Sequence, residues 1–426
     1  MLCHVDADSF FASVLVRQNP SLKGKELLAL GMGGGCVIAA SYEAKAKGVK
    51  TGMTLKDALK LAPNAIRIPS DFQETGLASH QIESVLSEVC PRIDQFSIDE
   101  WFLDLTTVQG GLPRDLGIFA SNLRKMVLDR TGFSMSVGIA PSKTLAKMAS
   151  EYRKPGGVTV VQACHPERSR RATRVSNVPW FDSAHHDTCS VVLLKDFLLD
   201  RPAAAICGIG PARMAHCQSE GWTTAWDIAQ ANPEKLCKLF GKPGKELGEE
   251  LRGIRVYDIV TNPKPPQSVS RARSFAPTRD GRLLWAHILR HLEYTLLKMR
   301  RHKLACRGVS VWLRDGEYKY RSSHCSLPRP LDTEEVAQPF VRRCFSELHR
   351  PNDSFTQAGL ALWNLCPGGV RQFSLFEAPE KALAGERVQD SLDDLHERFG
   401  RSAITRGSAL RAKTGTKRNF EVPVYE

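Results

Sequence analysis

A chain of 426 residues is too long for one ordinary hydrophobic core, so we expect two to four domains. Apolar residues make up 42% and charged residues 25% of the sequence, a balance typical of a globular protein and not of a disordered chain. The formal net charge is +13, and residues 267–350 alone contain 14 Arg and 3 Lys against 8 acidic residues. This concentrated basic segment favours a polyanionic partner, nucleic acid before membrane, with a merely solvated basic face as the alternative.

Three further features exclude other classes of protein. No apolar run reaches the ~18–20 residues that cross a bilayer. The first residues lack the basic and long apolar regions of a signal peptide. The 12 cysteines are widely spaced and include no C-x-x-C pair, which favours free thiols over a disulfide scaffold or a zinc ribbon. We therefore expect a cytoplasmic protein with no membrane partner.

Hydrophobic periodicity predicts the elements of the first third of the chain. Residues 2–5 form a short strand candidate, and Ser9 is placed to cap a helix that begins at Phe10. With residues 20–70 set aside, the first 140 positions follow the order β-α-β-β-α-β, the pattern of a ferredoxin-like sheet. The later predicted strands are residues 27–30, 36–40, 92–97, 101–105 and 135–139, and the later predicted helices are residues 42–47, 54–61, 116–127 and a longer one that ends near Cys90.

This topology brings distant acidic residues together. The first and third strands of a ferredoxin-like sheet are antiparallel neighbours, so the end of the first strand meets the start of the third. Asp6 is therefore expected beside Asp99 and Glu100. Converging carboxylates need a counter-charge, and their oxygen atoms suit Mg²⁺. The alternative is that these acidic residues are caps and turn residues.

The rest of the chain divides into a loop, a helical region and a second mixed region. Residues 163–189 are basic, turn-rich and aperiodic, which predicts an inserted surface loop. Residues 190–258 are mostly helical, and Gly208 and Gly210 lie in a turn between helices. Residues 259–266 are proline-rich and predict a stiff linker. The strands predicted beyond it are residues 269–275, 308–314 and 358–363, and the helices are residues 282–301, 333–348 and 388–399.

Several short motifs occur in a fixed order along the chain. They are residues 5–14 (VDADSFFASV), 41–45 (SYEAK), 48–53 (GVKTGM), 97–100 (SIDE), 136–140 (SVGIA), 142–147 (SKTLAK) and 154–157 (KPGG). With these motifs in this order, the sequence resembles the Y family, the translesion DNA polymerases, and within it the bacterial polymerase IV branch. One such motif would be weak, whereas the ordered series is specific. The resemblance is strong over residues 2–161 and looser over residues 190–410.

The resemblance implies an α+β fold with a ferredoxin-like palm sheet, a fingers insertion, a helical thumb and a separate α/β little-finger domain. It also implies template-directed, low-fidelity DNA synthesis on primed template DNA from deoxynucleoside triphosphates. The implied boundaries are residues 1–19 and 68–162 for the palm, 20–67 for the fingers, 163–189 for the inserted basic loop, 190–258 for the thumb with its helix-hairpin-helix, 259–266 for the linker, 267–366 for the little finger and 367–426 for a C-terminal tail.

For catalysis, the resemblance implies a two-metal nucleotidyl transfer. Asp6 and Asp99 would bridge the ions, Glu100 would be the third catalytic carboxylate, and Ala7 would lend its backbone carbonyl. The ions are expected to be Mg²⁺, with Mn²⁺ as an alternative. One ion would activate the primer 3′-hydroxyl and the other would hold the β- and γ-phosphates.

For the substrate, the resemblance implies that Phe11 is a steric gate, a ring placed where a ribose 2′-hydroxyl would lie. Phe10 is counted with it at the substrate site, although its ring is expected in the core. Tyr42, Lys45 and Lys154 would contact the triphosphate. The family usually has arginine at the position of Lys45, and lysine loses the bidentate fork.

For DNA and protein partners, the resemblance implies three groups of contacts. The backbone N–H groups at Gly208 and Gly210 would hold a DNA phosphate, with a plain helix-terminating turn as the alternative. The little finger would grip duplex DNA, and residues 372–376 (QFSLF) resemble the short peptide that binds a sliding clamp. The chain is expected to be monomeric. The candidate phosphate contacts of the little finger are Ser268, Ser270, Arg271, Arg273 and Arg307, and the candidate clamp-binding residues are Gln372, Leu375 and Phe376.

Two other functions remain as rivals at this stage. One is a non-catalytic DNA-bound scaffold that retains the fold, and the intact carboxylates count against it. The other is a different two-metal enzyme on the same palm, such as a nucleotide cyclase, which the basic segment and the clamp-like peptide disfavour. Trp101 departs from the family pattern, which favours a small residue there. Because side chains alternate along a strand, Trp101 is expected to pack behind the sheet, away from Glu100.

Overall fold

The computed structural model describes residues 1–31, 34–162, 189–262, 264–350, 352–368 and 379–399 and the single residues 404 and 407, with the backbone alone at 379–386 and 397. The described residues form two compact units, residues 1–262 and residues 264–407. Each unit has its own sheet and its own hydrophobic core. Within the described ranges, no helix is both long and apolar enough to cross a membrane.

The first unit alternates strands and helices up to residue 162 and is mainly helical after residue 193. Its strands are β1 (Leu2–Ala7), β2 (Leu27–Leu30), β3 (Val37–Ala40), β4 (Ile66–Pro69), β5 (Ile93–Gln95), β6 (Glu100–Asp104), β7 (Met135–Ala140), β8 (Val158–Gln162) and β9 (Cys189–Leu193). Its helices are α1 (Phe10–Gln18), α2 (Tyr42–Ala46), α3 (Leu55–Leu61), α4 (Phe72–Val89), α5 (Leu116–Thr131), α6 (Lys143–Tyr152), α7 (Leu194–Asp200), α8 (Pro211–Ser219), α9 (Ala225–Gln230), α10 (Pro233–Phe240) and α11 (Lys242–Leu251).

Six strands form one sheet in the order β5-β6-β1-β7-β8-β9. β1 lies between β6 and β7 and is antiparallel to both, so the adjacency predicted from the ferredoxin-like pattern is confirmed. Side chains alternate along β1, which buries Cys3 and Val5 with α4 and α5 on one face. Leu2 packs with α6 on the other face.

Helix α6 lies unusually close to the sheet. Gly138 on β7 has no side chain, and a Cβ atom there would collide with the carbonyl oxygen of Ala146 and the amide nitrogen of Ser150. The buried ring of His4 on β1 bonds the Ser150 hydroxyl, with 2.7 Å between Nδ1 and Oγ. Burial, with smaller contributions from nearby lysines, holds the pKa of His4 well below its usual value. A neutral histidine therefore ties α6 to β1.

A smaller mixed sheet, in the order β3-β2-β4, lies between α1 and α4 in the sequence. Its apolar residues pack with α2 and α3 in a separate core that includes Leu28, Ala44 and Ala58. The hydroxyl of Ser41 accepts a hydrogen bond from the amide of Ala44 and so begins α2. This sheet fixes the position of α2, which carries Tyr42 and Lys45.

The helical part of the first unit packs against α6 and β8, where Phe197, Leu236 and Leu251 join one core with Leu145. The predicted loop boundary differs from the structure by one residue. Cys189, expected in the loop, begins β9, which pairs in parallel with β8 and extends the large sheet. Residues 163–188 lie outside the described residues.

The second unit is a four-stranded antiparallel sheet with two long helices packed on one face, and its strands lie in the order β10 (Ser268–Thr278), β13 (Phe355–Pro367), β11 (Leu304–Asp315) and β12 (Tyr320–Leu331). Its C-terminal helix is tied to it by Asp393, which accepts hydrogen bonds from Nε and Nη2 of Arg300 at 2.6 and 2.8 Å. The α+β class with a separate sheet-rich domain is therefore confirmed. The helices described in this unit are α12 (Gly281–Arg301), α13 (Glu334–Leu348) and α14 (Pro379–Phe399).

Candidate active site

Two acidic residues that are far apart in the sequence face each other across β1 and β6. Asp6 and Glu100 are direct partners in the antiparallel register. The amide of Ala7 donates a 2.9 Å hydrogen bond to the carbonyl oxygen of Asp99, which holds Asp99 beside the end of β1. Asp6 is only 2% exposed, so its carboxylate needs a positive partner to stay ionised.

A third carboxylate reaches the same place from α6. One oxygen atom each of Asp6, Glu100 and Glu151 lies within 4.8 Å of the other two. Glu151 was not predicted from the sequence, because its position depends on the close docking of α6 on the sheet. Asp99 is not in this group, although its backbone lies beside the end of β1. The tightest cluster therefore contains two of the three predicted carboxylates and one that was not predicted.

Lysine side chains supply the counter-charges. Nζ of Lys154 lies 2.7 Å from Oδ1 of Asp6 and 2.6 Å from Oε1 of Glu151. Lys147 makes an ion pair with Glu100. Burial raises the pKa of Asp6 and of Asp99, and at Asp6 the ammonium of Lys154 opposes that rise. Burial alone would lower the pKa of Lys154, but Asp6 and Glu151 outweigh it and raise that pKa. The site is a compact set of mutually dependent charges, which runs from the buried Asp6 to the exposed Glu151.

Asp8, the second aspartate of the opening motif, has a structural role. Its carboxylate accepts hydrogen bonds from the hydroxyls of Ser134 and Ser136 at 2.6 and 2.7 Å. The amide of Gly156 donates another at 2.9 Å, and the hydroxyl of Tyr42 lies 3.4 Å away. Asp8 therefore joins β7, the segment after α6 and helix α2.

Of the predicted triphosphate contacts, Lys154 is part of this cluster, and Tyr42 and Lys45 lie together on α2. Nζ of Lys45 donates a 2.7 Å hydrogen bond to the hydroxyl of Ser9 and lies 4.5 Å from the centre of the Tyr42 ring. Burial lowers the pKa of Lys45, and the charge of Lys154 lowers it further. The carboxylates of Asp8, Glu151 and Asp6 oppose this lowering, so Lys45 is influenced by charges of both signs.

The paired aromatic residues of α1 have different environments. Phe10 is buried, with its ring 5.4 Å from that of Phe133, as expected for a core residue. Phe11 is partly exposed and contacts Phe72 edge-on, with 5.6 Å between the ring centres. Trp101 is fully buried in the core behind the sheet, so the expectation from strand alternation is confirmed.

Comparison with known proteins identifies the family. Residues 5–151 match the impB/mucB/samB family, and residues 266–375 match the C-terminal domain of that family. DNA polymerase IV of Methanoculleus marisnigri is 30% identical over 386 residues, which cover 88% of this chain and 98% of that protein. DNA polymerase IV of Moorella thermoacetica is 31% identical over 422 residues, 96% of each chain. The chain belongs to the Y family of DNA polymerases.

Solved structures show the same fold. A Y-family DNA polymerase chimera, Dbh-Dpo4(243-245)-Dbh, superimposes with a TM-score of 0.67 at 24% identity, covering 86% of this chain and 99% of that chain. The insertion ternary complex of Dbh DNA polymerase gives a TM-score of 0.54 at 22% identity, with the same coverage. With the family match and the polymerase IV relatives at 30% and 31% identity, the protein is a DNA-directed DNA polymerase for translesion synthesis, with a fold that uses divalent metal ions.

In this Y-family polymerase, Gly208 and Gly210 immediately precede α8. Gly208 has a φ of +96°, which a residue with a side chain rarely adopts. Gly210 is the residue before the first turn of α8, and its Cβ position is open. The turn therefore leaves its backbone accessible.

The predicted contacts of the second unit divide between two faces of β10. Val269 is buried in the helix-facing core, so Ser268 and Ser270 point to the open face of the sheet. Arg271 points to the helix side, where its guanidinium lies 3.9 Å from the centre of the Tyr294 ring. By the same alternation Arg273 shares that side.

Arg307 is exposed on β11, next to an irregularity in the strand register. The clamp-peptide residues, Gln372, Leu375 and Phe376, lie outside the described residues.

Proposed function

We propose that Asp6, Asp99 and Glu100 are the catalytic carboxylates of a two-metal nucleotidyl transfer to a primer 3′-hydroxyl. The observation that carries this proposal is the pairing of Asp6 with Glu100 across β1 and β6, with Asp99 hydrogen-bonded to the next residue of β1. These three residues lie within the part of the chain that matches the family.

The donor set fits divalent cations. The carboxylates offer several hard oxygen atoms, and the buried carboxylate of Asp6 already has a cation, the ammonium of Lys154, as its partner. Asp6, Asp99, Glu100 and the carbonyl of Ala7 would hold two Mg²⁺ ions, with Mn²⁺ as an alternative. Bound ions supply activation of the attacking hydroxyl and neutralisation of the phosphate charge.

The chain's own residues would orient the deoxynucleoside triphosphate. Lys45 and Lys154 present two ammonium groups to one region, and Tyr42 is held there by its contact with Asp8. Phe11 would act as the steric gate by filling the space of a 2′-hydroxyl without offering it a hydrogen bond. Phe10 supports that ring from the core.

Primed template DNA would be held by backbone and basic groups. The N–H groups near Gly208 and Gly210 and the side chains of the second unit would contact phosphates, which carry no sequence information. This suits an enzyme that copies any template. The side chains proposed for this role are Ser268, Ser270, Arg271, Arg273 and Arg307.

We retain the domain boundaries as part of the proposal, with palm 1–19 and 68–162, fingers 20–67, thumb 190–258 and little finger 267–366. The peptide 372–376 would bind a sliding clamp through Gln372, Leu375 and Phe376. The polymerase would act as a monomer in the cytoplasm.

Primer extension tests the catalytic assignment. Wild-type protein is expected to extend a primed template in the presence of Mg²⁺, and Asp99→Ala and Glu100→Ala are each expected to abolish extension. Glu88→Ala is the matched control, because Glu88 is an exposed carboxylate on α4 that pairs with the surface residue Arg130. Full activity in both site variants would refute the assignment.

A further inference from the structure

The ammonium of Lys154 lies between two carboxylates. It is 2.7 Å from Asp6 and 2.6 Å from Glu151, which precedes it by three residues. The carboxylate of Asp6 is buried, so in the absence of a bound ion Lys154 supplies the charge that keeps it stable. A divalent cation that binds Asp6 competes with this ammonium for the negative charge of the same carboxylate.

The two partners of Lys154 differ in exposure. The side chain of Asp6 is 4% exposed and that of Glu151 is 46% exposed, with the Lys154 side chain intermediate at 21%. Glu151 can therefore keep an ion pair with Lys154 near the surface after Asp6 has taken another partner. Glu100 has its own cation, Lys147, and does not need Lys154.

We propose that Glu151 is a positioning residue that holds Lys154 away from Asp6 when metal and triphosphate bind. Lys154 then has two uses, as the internal counter-charge of Asp6 in the empty site and as a phosphate ligand in the loaded site. Glu151 makes the exchange easy, because Lys154 never loses all of its anionic partners. This inference rests on the proposed function of Asp6 as a metal ligand.

The exchange of Lys154 for a metal ion at Asp6 is tested by measuring cation affinity in the absence of DNA and nucleotide. Mn²⁺ binding is measured by electron paramagnetic resonance for the wild type, Glu151→Asp, Lys154→Met and the double variant. Glu151→Asp keeps the charge but shortens the side chain, so it loses the reach to Lys154. Lys154→Met is expected to tighten Mn²⁺ binding about tenfold, the effect of one charge-assisted hydrogen bond. Glu151→Asp is expected to weaken binding several-fold, by leaving Lys154 on Asp6 alone.

The double variant decides how Glu151 acts. If Glu151 acts through Lys154, Glu151→Asp has no further effect in the Lys154→Met background. An equal weakening in both backgrounds would make Glu151 a direct ligand, and no weakening in either would remove its role, so both results overturn the inference. Asp6→Asn is the test of the underlying site: if this variant binds Mn²⁺ like the wild type, the proposed function fails first.

Steady-state kinetics give a second measurement. Glu151→Asp is expected to raise KM for the deoxynucleoside triphosphate more than it lowers kcat, because the lysine is misplaced before the nucleotide arrives. Glu88→Asp makes the same change in a surface pair with Arg130 and is expected to alter neither constant. A loss confined to kcat would contradict a positioning role.

Discussion

At the residue scale, the ring of Phe11 is proposed to exclude ribonucleotides by its shape. Its ring is partly exposed at the start of α1 and is braced edge-on by Phe72. Phe11→Ala is expected to increase ribonucleotide incorporation strongly and to change deoxynucleotide incorporation much less, because the space for a 2′-hydroxyl opens. Single-nucleotide incorporation of matched ribo- and deoxynucleotides measures this. Phe119→Leu, an aromatic change on α5, is the control, and unchanged sugar selectivity in Phe11→Ala would remove the gate role.

The residues of the site were predictable only in part. Asp6, Asp99 and Glu100 lie at strand ends whose adjacency follows from the strand order, so their proximity could be predicted from the sequence. Glu151 lies on α6, and its approach to Asp6 depends on how closely that helix docks on β7. No periodicity in the sequence encodes that distance. The alternation of side chains along a strand would have predicted which residues of β10 lie on each face of the sheet.

At the scale of elements, the docking of α6 depends on Gly138. A Cβ atom at this position would collide with backbone atoms of α6, which cannot move as a side chain could. Gly138→Ala is therefore expected to destabilise the protein by roughly 1–3 kcal/mol or more and to reduce primer extension, since α6 carries Lys147 and Glu151. Thermal unfolding and primer extension measure both effects. Gly316→Ala, where the Cβ position is open, is the control, and equal stability of the two variants would contradict the packing argument.

Two histidines on α12 make the stability of the second unit depend on pH. Burial, with the charges of nearby arginines, lowers the pKa of His287 to about 4 and of His291 to about 3. Because the unfolded chain titrates near 6.5, it binds more protons than the folded chain below that pH, and stability falls as the pH falls toward 4. The loss from the deeply buried His291 is about 2 kcal/mol at pH 5.

Thermal unfolding of the full chain at pH 7 and pH 5 measures this loss. His291→Gln is expected to reduce the difference between the two pH values, whereas His80→Gln, at an exposed position on α4, is expected to leave it unchanged. A His291→Gln variant that remains as acid-sensitive as the wild type would contradict the assignment.

Strong periodicity explains which elements the sequence predicted. β2 and α12 were predicted within one residue at each end, because each has a clear apolar pattern and clear ends. β12 was missed because it is an edge strand of mostly polar residues that includes Pro328 and Pro330. β9 was missed as a strand of the large sheet because only its pairing with β8 defines it.

At the scale of the whole molecule, the net charge of +13 predicts a strong salt dependence of DNA binding. Each phosphate neutralised releases counterions, so a protein that contacts about six phosphates loses about 10³-fold in affinity between roughly 50 and 200 mM salt. Fluorescence anisotropy with a labelled primer–template measures the slope. Arg307→Gln is expected to reduce the slope by about one, and Lys60→Gln on α3 is expected to leave it unchanged. Affinity that does not vary with salt would contradict phosphate binding.

The central claim is that Asp6, Asp99 and Glu100 hold the divalent cations of the reaction. A crystal structure with primed DNA, a non-hydrolysable deoxynucleoside triphosphate and Mn²⁺, with the metal located by anomalous scattering, tests it most directly. We predict two anomalous peaks among these three carboxylates, with Lys154 moved from Asp6 to the phosphates. The absence of any peak within coordination distance of Asp6 would contradict the account.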